Sequence, residues 1–233
     1  MNLSQLKREL RKLEGKGFIP SKRKGSTGVG YTFECELGFK ENNIPIPDAG
    51  GRVEFKASRK DSSSAITLFT FDRRVWKNYR ELVSKYGYYD KVKSRPSLYS
   101  SVKFGNPNSI GLFLTLDHSG NYFIIKHTDG NEIGTWKISH IVSRLLSKLP
   151  ILLFVLAERR KTKSGLEEFH YNKALLCSHP SDDNFLDAFK NGKAFIDIRM
   201  HLKSNGTTRN HGTAFRISES SMYEFYEEIK KLL

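Results

Sequence analysis

Asp48-Ala49-Gly50-Gly51-Arg52-Val53-Glu54-Phe55-Lys56 is the stretch on which the reading of this chain turns. Asp-Ala-Gly-Gly is a turn signal, because these residue types tolerate tight backbone geometry. Arg52 to Ala57 then reads as a strand. Successive side chains of a strand alternate, so Val53 and Phe55 face one way and Glu54 and Lys56 the other. Asp48, at the turn, can reach the same space. Ala65 to Phe71 is rich in β-branched and aromatic residues and reads as a second strand, a hairpin partner or near neighbour of the first.

Upstream, Leu3, Leu6, Leu10 and Leu13 recur at helical spacing, and Gly15 and Gly17 stop the helix. Ser21 to Gly30 reads SKRKGSTGVG, a basic loop. A second helix is expected from Tyr31 to about Phe39, ending at the Gly38 region. It carries Glu34, which packing against the strand would bring to the same polar group.

Downstream, Trp76 to Tyr86 reads as a helix and Tyr88 to Pro96 as an irregular connection. Ser109–Leu116, Tyr122–Lys126 and Glu132–Ile138 form an antiparallel unit, with turns at Asp117–Asn121 and Thr128–Asn131. Ile138 to Lys148 is a helix that ends before Pro150. Ile151 to Ala157 is a nearly continuous apolar run, as a buried central strand requires, with Phe169 to Cys177 its partner. Asp182–Asn191 is a helix, Phe195–His201 a strand, Lys203–Gly212 a basic loop and Ala214–Ile217 a short strand. Ser220 to Leu233 reads as a closing amphipathic helix. The fold class is α/β (α+β), a mixed sheet flanked by helices. No internal repeat or long linker separates domains, so two interlocked lobes are expected, residues 1–100 and 101–233.

The chain has 233 residues, 38% of them hydrophobic, which suffices for a sizeable core. Its formal net charge is +14. A compact chain this basic repels itself, so the charge points to a polyanionic partner, with DNA or RNA ahead of an anionic membrane surface. A solvated basic surface is the bland alternative. Cys35 and Cys177 show neither CxxC nor zinc spacing and read as packing residues of a reducing compartment. The N-terminus has no apolar h-region, and the longest apolar run, Leu149 to Ala157, is too short to span a bilayer. A cytoplasmic protein with no membrane partner is expected.

Carboxylates at fixed separation can hold Mg²⁺ against a phosphate oxygen, and an ammonium beside them can position the attacking water. Asp48, Glu54, Lys56 and Glu34 supply those groups. By spacing alone, a solvent-facing strand explains them equally well.

Longer stretches narrow the choice. Lys22-Arg23-Lys24-Gly25-Ser26-Thr27-Gly28-Val29-Gly30-Tyr31-Thr32-Phe33-Glu34 resembles the opening of the MvaI/BcnI-type restriction endonucleases. So does Glu54-Phe55-Lys56 followed by Leu68-Phe69-Thr70. Ile196-Asp197-Ile198-Arg199 and His211-Gly212-Thr213-Ala214-Phe215-Arg216-Ile217 resemble that family's recognition segment. The resemblance implies a PD-(D/E)xK nuclease fold, related to the MutH nicking enzyme, and a monomer that grips double-stranded DNA in a cleft between a catalytic and a recognition lobe. It implies Asp48 and Glu54 as Mg²⁺ ligands, Lys56 as the water-positioning residue and Glu34 as an accessory carboxylate. The Asp48-to-Glu54 spacing is a residue longer than is common in the family, and Gly50-Gly51 can absorb it.

The resemblance further implies a short CC-N-GG-like target and a cognate DNA methyltransferase as functional partner. Thr70 and the HGTAFRI segment look closer to the A/T-centred members and Leu152 to Leu176 to the G/C-centred ones, so the central base stays open. Arg199 and Arg216 are candidates for bidentate contacts to guanine, Asp197 for a cytosine amino group and His211 for a base edge or phosphate. A salt bridge between Asp197 and Arg199 is the alternative. Lys22, Arg23 and Lys24 suit phosphates, while Arg159, Arg160, Lys161 and Lys163 suit phosphates or a solvated loop equally. Trp76 and Trp136 read as core. Two rival functions keep most of these residues: a MutH-like strand-nicking repair nuclease, and a DNA-binding module without catalysis.

Overall fold

The structure is a computed structural model that describes residues 2–39, 53–60, 64–72, 75–76 and 78–233. Asp48 and the turn expected at residues 48–51 lie outside the described residues.

Asn2 starts the first helix, α1 (Leu3–Gly15), with a capping box: its side chain accepts from the Gln5 amide while the Gln5 side chain accepts from the Asn2 amide. Leu6, Leu10 and Leu13 are its buried stripe. A two-residue strand, β1 (Ile19–Pro20), precedes α2 (Gly28–Glu36) and β2 (Val53–Arg59). The next elements are β3 (Ala65–Thr70), α3 (Tyr79–Tyr86), β4 (Tyr88–Asp90) and β5 (Arg95–Val102). The antiparallel unit follows as β6 (Leu112–Leu116), β7 (Tyr122–His127) and β8 (Glu132–Lys137), leading into α4 (Ile138–Lys148). A long hairpin of β9 (Ile151–Lys161) and β10 (Glu167–Pro180) leads to α5 (Asp182–Lys190). β11 (Ala194–Leu202), β12 (Thr208–Asn210), β13 (Ala214–Ser218), a 3₁₀ turn (Glu219–Ser221) and β14 (Tyr226–Lys231) complete the order.

The strands form three sheets. One runs β1-β10-β9-β2 with β14 on β10, the second β3-β13-β11-β5-β4 with β12 on β11, and the third β6-β7-β8. Two compact units result. One comprises Met1–Ser64, Leu146–Asn184 and Glu219–Leu233, the other Ala65–Leu145 and Phe185–Ser218. The single boundary expected near residue 100 is therefore replaced by interleaving. β2 and β9 pair in parallel, and a parallel pair needs a long crossover. Here most of the second unit lies within that crossover.

Several expectations need correction. β2 and β3 are not partners: β3 pairs with β13 in the other sheet. Tyr88–Pro96 is not an irregular connection but a β4–β5 hairpin, whose tip is organised by Asp90 Oδ1 accepting from the Val92 and Lys93 amides. The loop after β11 contains β12. α2 begins three residues before the expected Tyr31, because Val29, Thr32 and Phe33 are the face it buries. α3 starts only at Tyr79, with the Asn78 side chain capping the Glu81 amide. Trp76 instead enters the core and bridges to Gly134.

The closing segment is the largest departure. It is a 3₁₀ turn and the strand β14, paired antiparallel with β10 from Leu175↔Lys231 to Pro180↔Tyr226, and not a helix. Met222, Phe225, Tyr226 and Leu232 keep a helix-like spacing and are all buried, but the edge of β10 takes the backbone.

The core of the first unit joins Leu6, Leu10 and Leu13 of α1 to Val29 and Phe33 of α2, Phe55 of β2, and Leu153, Val155, Phe169 and Tyr171 of the hairpin. Trp76 and Trp136 are buried in the second unit, as expected, in edge-to-face contact. Both cysteines are free, and burial pushes the Cys177 thiol up to about 12.

Candidate active site and nucleic-acid interface

β2 is an edge strand with two different faces. Phe55 is buried and packs edge-to-face on Phe33 and Phe39, so it anchors the strand against α2. That anchoring turns Glu54 and Lys56 to the opposite face. Glu54 is 2% exposed, deeply buried for a carboxylate. Lys56 Nζ donates to its Oε1 at 2.5 Å. A second ammonium, Lys148 at the C-terminal end of α4, lies 2.7 Å from Oε2. Its angles are not those of a hydrogen bond, and Oε2 accepts none although fully buried. Two cations therefore hold one carboxylate, and one of its oxygens keeps lone pairs unused.

Glu34 lies half-buried on α2, next to the Phe33 that packs on Phe55. The basic loop before α2 is fixed by the last residue of β2. Arg59 donates to the carbonyls of Gly25 and Ser26 at 3.1 Å each and to Glu167 Oε2 at 2.6 Å. Gly28 is needed at the start of α2, because a Cβ there would stand 2.4 Å from the Arg23 carbonyl oxygen. Arg23, Lys24, Arg59, Arg159, Lys161 and Glu167 line a pocket of about 890 Å³. Lys22 turns away to pair with Glu36 at 2.7 Å, and Lys16 and Lys22 together hold the Glu36 carboxyl below the usual range. Arg23 stacks over Tyr31 at 3.8 Å.

The second sheet brings the remaining candidates together. Thr70, Ala214, Asp197 and Ser101 stand in one cross-strand row over β3, β13, β11 and β5. By strand alternation Arg199 and Arg216 share that face, while Ile196, Ile198 and Phe215 are buried on the other. Asp197 accepts from Ser101 Oγ at 2.5 Å and from Arg216 Nη1 at 2.7 Å. Arg216 also donates to the Ala65 carbonyl. The salt bridge weighed for Asp197 thus exists, but with Arg216. Arg199 instead donates to the carbonyls of Gly212 and His211, at 3.1 and 3.3 Å. His211 lies 5.2 Å from the ring of His201. Burial and then the surrounding cations hold both imidazoles below their ordinary value, from Arg95 onward for His201 and from Arg209 onward for His211.

The sequence of the MvaI/BcnI restriction endonuclease family matches this chain over residues 7–226. The chain belongs to that family. The fold agrees with a solved restriction endonuclease MvaI in complex with its cognate DNA substrate, at 26% identity and TM-score 0.79 over all of both chains. MvaI solved in the absence of DNA is similar at 25% identity and TM-score 0.59, over all of this chain and 99% of that one. No curated protein matches. As a member of the MvaI/BcnI family, the chain is a site-specific deoxyribonuclease with a mixed α+β fold.

Within this family frame, the fit of a divalent cation is judged on Glu54. A buried carboxylate oxygen that accepts no hydrogen bond is a donor suited to a hard cation. Among the described residues no three His, Cys, Asp or Glu side chains gather as a metal site, and Asp48 lies outside them. Two site features were invisible in the sequence. Lys148 carries no motif and arrives through α4. Asp72, just past β3, accepts from Asn210 Nδ2 and from Thr213 Oγ1, while Asn210 Oδ1 accepts from the Gly212 amide at 2.8 Å, so the His211–Thr213 segment is tied down from β3's end. Burial raises the Asp72 carboxyl against these bonds. No described helix is long and apolar enough to cross a membrane.

Proposed function

We propose that this chain is a Mg²⁺-dependent type II restriction endonuclease that hydrolyses both strands of double-stranded DNA at a short CC-N-GG-like site. The observation that carries the reading is the buried Glu54, bound by Lys56 on one oxygen and without a hydrogen bond on the other. Glu54 and Asp48 would hold the cation, with Glu34 as accessory carboxylate. Mg²⁺, when bound there, neutralises charge on the scissile phosphate and lowers the pKa of water. Lys56, tied to Glu54, holds its ammonium where it can orient that water for in-line attack. The water oxygen bonds to phosphorus, the opposite P–O bond breaks, and the leaving oxygen takes up a proton.

The first unit would carry this chemistry and the second the base reading, in place of a division at residue 100. Thr70, Asp197, Arg199, His211 and Arg216 form one polar face suited to base edges, since guanidinium forks match guanine and a carboxylate accepts from cytosine. MvaI, which this fold resembles, is solved with its cognate DNA substrate, which supports DNA as the ligand of that face. Arg23 and Lys24 would bind backbone phosphates, and Lys22 would join them by exchanging its Glu36 partner for a phosphate. The protein would act as a cytoplasmic monomer, one strand at a time, with a cognate methyltransferase protecting host DNA.

Mapping every end produced from DNA of known sequence tests the proposal. Ends confined to CC-N-GG sites, on both strands and without an added protein, are expected. Scattered ends, or nicks in one strand only, would overturn it.

A further inference from the structure

Glu54 Oε2 faces two demands. It is the buried oxygen suited to a divalent cation, and it is the oxygen that Lys148 Nζ approaches to 2.7 Å. A hard cation such as Mg²⁺ binds carboxylate oxygen at about 2.1 Å. Two positive charges on one oxygen in a buried setting repel strongly. An arriving metal ion therefore weakens the hold of Oε2 on the ammonium.

The two lysines are not equivalent. Lys56 is fixed two residues away on the same strand and makes a true hydrogen bond to Oε1. The Lys148 contact lacks hydrogen-bond geometry, so it is held by charge more than by direction. The Lys148 side chain is 17% exposed against 3% for Glu54, so its ammonium has a route to water that the carboxylate lacks. It ends α4, where a cation is also favoured by the helix dipole.

We propose that Lys148 is an exchangeable counter-ion: it neutralises Glu54 in the metal-free protein and yields Oε2 when a divalent cation binds. The inference rests on the reading of Glu54 as a metal ligand. It makes the ammonium a competitor of the metal, so metal-free protein keeps its buried carboxylate compensated and loads metal only above a threshold concentration. A lysine that merely clamped Glu54 in place would have the opposite effect, since its loss would disorder the ligand and weaken the metal.

Binding of Mn²⁺ alone to the full chain without DNA, followed by the paramagnetic resonance of the free ion, separates these. Lys148→Met is expected to lower the Mn²⁺ concentration at half-saturation by about tenfold, as removal of a close like charge predicts. Lys148→Arg, which keeps the charge, is expected to stay within about twofold of wild type. The metal-free melting temperature of Lys148→Met should fall and be restored by Mn²⁺. If Lys148→Met does not fold, Lys148→Gln carries the same expectation of tighter binding. An unchanged or raised half-saturation in the neutral variant overturns the inference. Glu54→Gln tells the two failures apart: if it binds Mn²⁺ as wild type does, the metal reading itself falls. If it loses binding while Lys148→Met shows no shift, only the role of Lys148 falls.

Discussion

At the scale of single residues, the recognition candidates are already engaged with each other. Both oxygens of Asp197 are taken, one by Ser101 and one by Arg216, and Arg216 also reaches the Ala65 carbonyl. Such a pair does two things. It ties β11 to β13 and β5, and it fixes the planes of a carboxylate and a guanidinium that would otherwise sample many rotamers. Arg216→Met removes charge-assisted hydrogen bonds from a half-buried site and should cost about 1–3 kcal/mol in urea unfolding. Asp197→Leu combined with it should recover part of that loss, because the two charges compensate each other. Additive losses in the double variant would mean that the pair is not coupled. The sequence allowed a bridge for Asp197, but it named Arg199, its neighbour on the strand. The partner is set by register across β13, which no local spacing reveals.

At the scale of elements, the sequence was most readable where pattern and burial agree. α1 and α4 follow their expected period because each buries one stripe, and β9 follows its nearly continuous apolar run because Leu152 to Val155 are buried on both faces of the strand. β14 was unreadable for a physical reason: MYEFYEEIKKLL combines helix-forming residues with helical apolar spacing, and the tertiary edge of β10 overrides both. Trp76 shows the same competition on a smaller scale, leaving the expected helix for a slot over Gly134. A Cβ at Gly134 would stand 2.5 Å from the Trp76 ring. Gly134→Ala should therefore destabilise the protein by about 1–3 kcal/mol through displacement of that ring. Trp fluorescence in a denaturant titration reads it, and a wild-type midpoint would show that the ring shifts freely.

At the scale of the whole molecule, the charge of +14 was legible from composition, but its distribution was not. Some of the basic side chains are already paired: Lys22 and Lys16 serve Glu36, Arg59 serves Glu167, and Arg160 serves Glu168. Lys24 and Lys161 line the pocket beside them. If they meet phosphates, replacing both with Ala should flatten the plot of log affinity for DNA against log salt by about 1–2 in slope. An unchanged slope would place DNA elsewhere. The proposed catalytic motif was legible as a grouping on β2, because strand alternation alone puts Glu54 and Lys56 together. Its second cation, Lys148, was not, because only the parallel return of β9 brings the end of α4 to β2.

The most direct test of that centre compares wild type with Glu54→Gln on supercoiled plasmid in Mg²⁺, with DNA binding by both measured in Ca²⁺. The expected result is linear DNA from wild type, and cleavage reduced by more than about a hundredfold in the variant with binding retained. Cleavage by Glu54→Gln at the wild-type rate would contradict the assignment of Glu54 to the active site.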